Sequence, residues 1–175
     1  VHRRYPELLE PGEKVQIDVK EVPYNCLRGK VLREEKHLYQ WTALDESTRT
    51  RFIYGFEEHT PENSVKFLAM LIKVFPFKIK TIQTDNGTEF TYKFISDDKI
   101  CPFDKALRKL GIKHKLIPPR TPWHNGKVER SHRNDQRYFY DWETFRNVEE
   151  LNEKLAEHLI WSNNKPMRTL DGKSP

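Results

Sequence analysis

The order of strand-like and helix-like segments predicts an α/β domain with a mixed five-stranded sheet and helices on both of its faces. Three strand patterns come first, and strands then alternate with helices before two final helices, giving the order βββαβαβαα. Successive strands indicate antiparallel pairing, whereas alternation with helices indicates parallel crossovers. The 175 residues suffice for one domain with a hydrophobic core. We assign residues 14–175 to this core and residues 1–13 to a basic lead-in or linker.

The first three strands are predicted from short runs of apolar, aromatic and β-branched residues. Residues 14–20 alternate between polar and apolar side chains. Residues 37–44 and 51–56 are rich in aromatic and β-branched side chains, and the polar residues 45–50 between them predict a hairpin. Residues 23–36 are mostly polar and predict a loop.

The first long helix is predicted to start at Thr60, because Thr is a favourable N-cap and Pro61 suits the first turn. Pro76 ends it. Apolar residues at helical spacing would turn one side of this helix towards the sheet. They are Val65, Leu68, Ala69, Ile72 and Phe75.

The later elements are predicted from the same kinds of signal. A strand ends at Asp85, a short helix covers residues 103–110 before Gly111, and a strand covers residues 112–117. The last helix has an apolar stripe and an acidic outer face. The stripe consists of Val148, Leu151, Leu155 and Leu159.

Composition narrows the class of protein. A net charge of +5 with 33% charged residues indicates a polar surface and points mildly towards nucleic acid. Cys26 and Cys101 have no zinc-ligand spacing, so free thiols in a reducing compartment are expected. No run approaches the roughly 18–20 apolar residues needed to span a bilayer, so we expect a cytoplasmic protein without membrane contact. Because the chain begins with Val1 rather than Met, we expect it to be part of a longer protein.

Residues 120–137 form a basic segment with one helix. They contain five Lys or Arg against two Asp or Glu, and the cap residue Asn125 precedes an uninterrupted helical run. On that helix Glu129, Arg133 and Arg137 are spaced by four and share a face. Two interpretations stay open: a solvated helix face, or a metal-assisted site that meets a polyanion.

Two further acids lie on strands. Asp85 ends a predicted strand and is followed by the turn residues Asn86 and Gly87, so its carboxylate should be exposed and approachable. Asp18 lies within a strand, where Asp is unfavourable. With Glu129, these carboxylates could supply oxygen ligands to two Mg²⁺ or Mn²⁺ ions.

Three motifs around these acids resemble a known family. The sequences QIDVK at residues 16–20, QTDNGTEF at 83–90 and NGKVERSHR at 125–133 resemble the three acidic motifs of the DDE transposase and retroviral-type integrase catalytic core. They are most similar to those of bacterial insertion-sequence transposases. The resemblance runs from about residue 14 to residue 175, and three motifs in the same order are more specific than any one of them.

The resemblance implies an RNase H-like fold and divalent-metal-dependent cleavage and strand transfer of DNA during transposition or integration. It implies that Asp18, Asp85 and Glu129 are the catalytic, metal-binding acids, with Asp18 bridging two Mg²⁺ or Mn²⁺ ions. The partners would be element ends and target DNA, the full-length protein would be a homo-oligomer, and the compartment would be the bacterial cytosol or nucleoid. We expect these residues to contact DNA: Asn86, Arg120, His124, Asn125, Lys127, Arg130, Arg133 and Arg137.

Two alternative functions stay open. The first is a simple RNase H-like nuclease, against which the Arg-rich helix argues because it suits gripping DNA ends. The second is a non-catalytic DNA-binding or assembly module that keeps the fold, against which the presence of all three acids argues.

Other acids and histidines have simpler interpretations. Asp45 ends a predicted strand and is most simply a turn residue, although a metal role is the alternative. Glu89 is close enough in sequence to Asp85 to reach the same site. His132 is interpreted as a packing residue of the helix, and His124 as either a DNA contact or an exposed loop residue.

Overall fold

A computed structural model of the chain describes residues 9–96, 98–118 and 121–175, and for residues 122–123 only the backbone. The DNA contact predicted for Arg120 and most of the predicted lead-in therefore lie outside the described residues. In the described ranges no helix combines the length and apolar character needed to cross a bilayer. Cys26 and Cys101 are buried and free, as predicted.

The sheet has five strands in the spatial order β3-β2-β1-β4-β5. Strands β1, β2 and β3 pair antiparallel in succession, whereas β4 pairs parallel with both β1 and β5. The predicted mixed sheet is confirmed, including the hairpin between the second and third strands. The strands are Val15–Glu21 (β1), Tyr39–Asp45 (β2), Arg51–Phe56 (β3), Thr81–Thr84 (β4) and Lys113–Leu116 (β5).

Five α-helices lie in the described part of the chain, and they follow the predicted order with one addition. A five-residue helix, α1, lies between β1 and β2, where the sequence predicted only a loop. The helices are Gly29–Arg33 (α1), Pro61–Val74 (α2), Pro102–Lys109 (α3), Gly126–Asp135 (α4) and Val148–Asn164 (α5).

The loop prediction for residues 23–36 was wrong because a few apolar residues in this polar run are anchored by distant partners. Cys26, Leu27 and Val31 are buried. Leu27 forms a parallel bridge with Phe145, and the amide of Arg28 donates to the Phe145 carbonyl at 2.8 Å. The segment therefore contributes to the core although its average composition is that of a surface loop.

One face of the sheet is apolar. Because strand side chains alternate, Val15 and Ile17 of β1 share this face with Trp41 of β2 and Phe52 of β3. Helix α2 covers them and starts as predicted, with Thr60 accepting a hydrogen bond from the amide of Asn63. Its inward side is rotated from the prediction. The buried apolar residues of α2 are Phe67, Leu68 and Leu71, whereas Ile72 is exposed.

The opposite face is covered by α4, α5 and the π-helical turn Gln136–Tyr140 that follows α4. Part of it is apolar: Ile53 packs with Leu151 and Leu155 of α5, two members of the predicted stripe. The part beneath α4 is polar and buried. It includes Gln16, Gln40 and Thr42. The helix that carries the third predicted acid therefore lies on a polar layer.

The C-terminal end of α4 is fixed by Asp135, which is fully buried. Its carboxylate accepts hydrogen bonds from Arg51 at 2.6 Å, His158 at 2.8 Å and Gln40 at 3.0 Å. The Arg51 guanidinium and these hydrogen bonds hold the pKa of Asp135 well below its usual range, against the opposing effect of burial. This network ties α4 to β2, β3 and α5.

Candidate active site

The three predicted acids lie on neighbouring elements. Asp18 is in the middle of β1, Asp85 directly follows β4, and Glu129 is in the first turn of α4. Strands β1 and β4 are paired in parallel, with Gln16 opposite Gln83. Each strand acid is therefore two residues beyond a paired glutamine, which places both acids at the same end of the central strand pair.

The carboxyl groups influence one another electrostatically. Burial, followed by the negative charge of Asp85, raises the pKa of Asp18 from 3.8 to about 7. The Val19 backbone opposes this rise, and Glu129 and Glu89 add to it. Charges act on one another strongly only across short distances in a poorly solvated region. The acids from all three motifs therefore share one electrostatic environment around Asp18.

Within the described residues, no three His, Cys, Asp or Glu side chains form a preassembled metal-ligand cluster. The chemistry of the donors nevertheless fits a hard divalent cation, which prefers carboxylate oxygens. Charged carboxylates held in a shared, partly desolvated region repel one another, and a cation between them would relieve that repulsion. Asp18, Asp85 and Glu129 are thus candidates for holding Mg²⁺ or Mn²⁺, and their roles stay predictions.

Asp85 lies in a tight turn at the end of β4. The Gly87 amide donates to its carboxylate at 3.0 Å, which lowers its pKa, but partial desolvation has the larger effect and Glu89 also raises it, so the net shift is upward. A Cβ at Gly87 would be 2.4 Å from a carboxylate oxygen of Glu89. The absence of a side chain at Gly87 therefore leaves room for Glu89. The sequence predicted a different role for this glycine, namely to let substrate approach Asp85.

Glu89 is buried beside this turn and pairs with His59 at 2.8 Å. The hydrogen bond to Glu89 raises the pKa of His59. Glu89 raises the pKa of both strand acids, so its charge reaches the site as the sequence allowed. Nothing in the sequence around His59 indicated this pairing, because the two residues are thirty positions apart.

His132 lies on the side of α4 that faces β1 and β2. Its Nδ1 is 3.6 Å from a carboxylate oxygen of Asp18, and its Nε2 is 3.0 Å from the Thr42 hydroxyl. Burial lowers the pKa of His132 to about 4. The imidazole is therefore neutral at pH 7 and packs α4 against β1 and β2, which agrees with its interpretation as a packing residue.

The start of α4 is held by two buried glutamines that the sequence analysis missed. Gln16 accepts a hydrogen bond from the Val128 amide at 3.1 Å and donates to the His124 carbonyl at 3.2 Å. Gln83 donates to the same carbonyl at 2.8 Å. Both side chains lie beneath α4, on the face of the sheet that carries Asp18. A signal was present, since a glutamine stands two residues before each strand acid.

Glu46, at the end of the β2–β3 hairpin, was also missed. It is buried and pairs with Lys14 at 2.7 Å and Lys127 at 2.6 Å, while Gln16 donates to it at 2.8 Å. Hydrogen bonds from Lys127, Lys14 and Gln16 lower its pKa to about 2, despite its burial. Lys127, a predicted DNA contact, therefore has a structural partner.

The other predicted DNA contacts differ in their exposure to solvent. Arg130, Arg133 and the side chain of His124 are exposed, and in the described part of the chain neither arginine forms a salt bridge, including one with Glu129. Asn86 donates to the Ile117 carbonyl at 2.9 Å. Asn125 occupies the N-cap position of α4 and is buried.

Arg137 is separated from the Glu129 face by a change of helix type. Regular α-helical spacing ends at Asp135, and Arg137 lies in the π-helical turn. There its guanidinium carbon is 5.4 Å from the ring centroid of Tyr138. The predicted four-residue spacing therefore applies to Glu129 and Arg133 but does not continue to Arg137.

Asp45 is a turn residue, as predicted. Its carboxylate accepts hydrogen bonds from the amide and hydroxyl of Thr48 at 2.8 and 2.9 Å and from the Gly12 amide at 3.0 Å. These bonds close the β2–β3 hairpin and tie it to the segment before β1.

A cavity of about 590 Å³ runs along the flank of α4 that contains Lys127 and Arg130. Residues at positions 127, 130 and 134 share one side of an α-helix, and Glu129 projects from another side. The cavity walls include Lys14, Glu46 and Arg51. The cations of α4 are therefore distributed over more than one flank.

Sequence comparison places this geometry in a family context. The Integrase core domain family matches residues 9–122, and a second Integrase core domain description matches residues 110–175. The chain is 30% identical over 137 residues to the ORF3 protein of Spiroplasma virus SpV1-C74, which carries an integrase name; the match covers 74% of this chain and 38% of that protein. A retrovirus-related Pol polyprotein from transposon RE1 of Arabidopsis thaliana is 30% identical over 105 residues, covering 59% of this chain and 6% of the polyprotein.

Solved structures give the same fold. The HTLV-2 integrase catalytic core domain, solved with magnesium in a trimeric form, superposes with a TM-score of 0.65 at 19% identity, covering 95% of both chains. A simian T-cell lymphotropic virus intasome, in complex with PP2A regulatory subunit B56 gamma, gives a TM-score of 0.66 at 21% identity, covering 90% of this chain and 49% of that chain. The chain thus has the RNase H-like fold of retroviral integrase cores, and it spans well under half of the two sequence relatives.

Proposed function

Because this chain belongs to the integrase core domain family, we propose that it is the catalytic core of a DDE-type transposase or integrase. The substrate would be DNA, and the reactions would be hydrolysis of an end and transfer of that end into a second DNA. The observation that carries the proposal is the placement of the three motif acids: Asp18 on β1, Asp85 directly after the paired strand β4, and Glu129 in the first turn of α4, which packs on β1. Burial, and after it the charges of Asp85 and Glu129, raise the pKa of Asp18. Acids from three separate motifs act on one another there.

The proposed roles follow from what each group can hold. Asp18, Asp85 and Glu129 would hold the cations through their carboxylate oxygens. When bound, Mg²⁺ or Mn²⁺ would offset phosphate charge, activate water or a 3′-hydroxyl, and stabilise the leaving oxygen. The magnesium in the HTLV-2 core structure supports this choice of cation.

Residues outside the acid cluster would bind and orient the DNA. The exposed arginines Arg130 and Arg133 follow Glu129 on α4 and would contact phosphates, which are the dominant source of affinity for DNA. Neutral His132 keeps Asp18 against α4 without adding a positive charge that would compete with a cation. Pairing two DNA ends would require a multimer, and the trimeric and intasome forms of the structural relatives support that expectation.

The test is a labelled-DNA-end assay that scores hydrolysis and joining separately with Mg²⁺, Mn²⁺ or EDTA. We expect both products with either cation and neither product with EDTA. Asp18→Asn should abolish both, whereas the matched control Asp98→Asn, at an exposed loop acid, should leave both unchanged. Hydrolysis without joining would favour the simple nuclease, and DNA binding without either product would favour the assembly module.

A further inference from the structure

We propose that Gln16 and Gln83 are positioning residues that hold Glu129 in place relative to the two strand acids. This inference rests on the proposed function, because the position of Glu129 matters only if the three acids act together. Gln16 and Gln83 are opposite each other on β1 and β4, the strands that supply Asp18 and Asp85. Their side chains form hydrogen bonds with the backbone at the start of α4.

Gln16 replaces the missing cap of α4. The first amides of a helix have no partner within the helix and are usually satisfied by the side chain of the N-cap residue. Here the N-cap residue Asn125 makes no such hydrogen bond. The acceptor for the Val128 amide is instead Oε1 of Gln16, at 3.1 Å. The helix is therefore capped by the strand that carries Asp18, at the residue that directly precedes Glu129.

Gln83 fixes the same turn from the second strand. Its Nε2 donates to the His124 carbonyl at 2.8 Å, and the Gln16 amide donates to that carbonyl at 3.2 Å. One carbonyl thus links the start of α4 to both central strands. Because each glutamine is two residues before an acid on its own strand, any shift of the strands relative to α4 would strain these bonds.

Simple helix docking does not require this arrangement. Gln16 and Gln83 are 2% and 0% exposed, and a buried amide is costly unless its hydrogen bonds are complete. The hydrogen bonds of Gln16 are complete, but those of Gln83 are not: its Oε1 is buried without a hydrogen-bond partner among the described residues, as is Oδ1 of the N-cap residue Asn125. Apolar side chains would dock a helix at lower cost. The polar contacts instead define a direction and a register for the first turn, which a ligand-bearing helix needs.

The experiment replaces each glutamine with methionine, which keeps the length and volume but removes the hydrogen bonds. The matched control is Gln40→Met. Gln40 is equally buried beneath α4, but its partners are Asp135, at the other end of the helix, and Thr42 and Tyr140, which lie outside the helix. Three properties are measured. They are the rate of amide hydrogen exchange at Val128, the affinity for Mn²⁺ without DNA, and, in separate assays, the rate of strand transfer and the affinity for DNA.

We expect Gln16→Met to raise exchange of the Val128 amide by about tenfold, since its acceptor is lost. Mn²⁺ affinity should fall about tenfold in Gln16→Met and Gln83→Met, the usual effect of removing groups that orient metal ligands. Strand transfer should slow while DNA affinity is unchanged. Gln40→Met should lower the unfolding midpoint but change Mn²⁺ affinity by less than about twofold.

Two results would overturn the proposal. One is unchanged Mn²⁺ affinity in both Gln16→Met and Gln83→Met; the other is an equal loss of affinity in Gln40→Met. Asp18→Asn separates this failure from failure of the proposed function. If Asp18→Asn abolishes Mn²⁺ binding and the glutamine variants do not weaken it, only the positioning role is wrong. If Asp18→Asn also leaves binding unchanged, the metal site is wrong and the positioning role is wrong with it.

Discussion

Replacing Asp18 with Asn should make the metal-free protein more stable at pH 8, although it removes the proposed chemistry. In the folded chain, burial and the charges of Asp85 and Glu129 raise the pKa of Asp18 to about 7. At pH 8 its carboxylate is therefore ionised in surroundings that disfavour a negative charge. An amide has nearly the same shape and carries no charge, so the repulsion disappears in the variant.

The magnitude follows from proton linkage. A group whose pKa is raised by folding stabilises the folded state fully below its unfolded pKa, and this contribution is lost as the pH rises through the folded pKa. A rise from 3.8 to about 7 corresponds to about 4 kcal/mol. The Asp18 side chain keeps 20% of its exposure, and we expect solvent to reduce the effect to about 2 kcal/mol. The gain from Asp18→Asn should therefore be about 2 kcal/mol at pH 8 and close to zero at pH 4.

Urea unfolding of both proteins in EDTA, at pH 4 and pH 8, measures this difference. Adding Mg²⁺ at pH 8 should reverse the order of stability. A ligand at one hundred times its Kd stabilises a folded protein by about 2.7 kcal/mol, and only the wild type would bind it well. Asp98→Asn serves as the control, because an exposed acid should give no change at either pH.

A different result would refute the reasoning in an identifiable way. Equal changes in stability at pH 4 and pH 8 would mean that the Asp18 carboxylate is not held in a repulsive environment. A loss of stability at pH 8 would mean that the carboxylate is a hydrogen-bond acceptor that the fold requires. Stabilisation of the variant and the wild type by Mg²⁺ to the same extent would place the cation elsewhere.

Three further predictions concern α4. Asp135→Ala should lower the free energy of unfolding by about 3–5 kcal/mol, because it leaves the buried guanidinium of Arg51 without its carboxylate; a loss below about 1 kcal/mol in urea unfolding would contradict this. Burial lowers the pKa of His132 to about 4. The folded state therefore resists protonation of this imidazole, and the free energy of unfolding should fall by about 3 kcal/mol as the pH falls from 6.5 to 4. His132→Gln should remove that part of the pH dependence. Identical profiles of unfolding free energy against pH for the variant and the wild type would refute this prediction. Arg133→Ala should lower the salt slope of DNA binding by about one, whereas Lys127→Ala, whose lysine pairs with Glu46, should mainly reduce stability; equal slopes for Arg133→Ala and the wild type would argue against a phosphate contact.

Much of the fold was predictable because its signals are local. Thr60 with Pro61, and the apolar stripe of α5, are contained within one element each. The inward side of α2 was rotated from the prediction because Phe67 and Leu71 pack in the core between the helix and the sheet and Ile72 does not. Helical spacing gives a stripe, but the sheet decides which edge of the stripe is covered.

The site was only partly predictable, for a related reason. Its acids are identified by local sequence motifs. The residues that hold these acids in place do so through contacts with residues far away in the sequence. Gln16 and Val128 are 112 positions apart, and Glu46 and Lys127 are 81 positions apart. A polar residue on a strand can face solvent or a helix, and its own sequence neighbourhood does not distinguish the two. A glutamine two residues before an acid was visible, but its partner was not.

The two faces of β1 explain how the fold can tolerate a repulsive cluster of acids. Ile17 is fully buried in the apolar core beneath α2, and Asp18, the next residue, belongs to the polar layer beneath α4. Because successive side chains on a strand point to opposite faces of the sheet, Ile17 contributes to the stabilising core and Asp18 to the proposed site. The polar face depends on contacts at both ends of α4: Gln16 at its start and Asp135 at its end. Loosening the start of α4 should displace Glu129 while leaving the apolar face intact, so the site would fail before the fold does, whereas loosening its end should mainly lower stability.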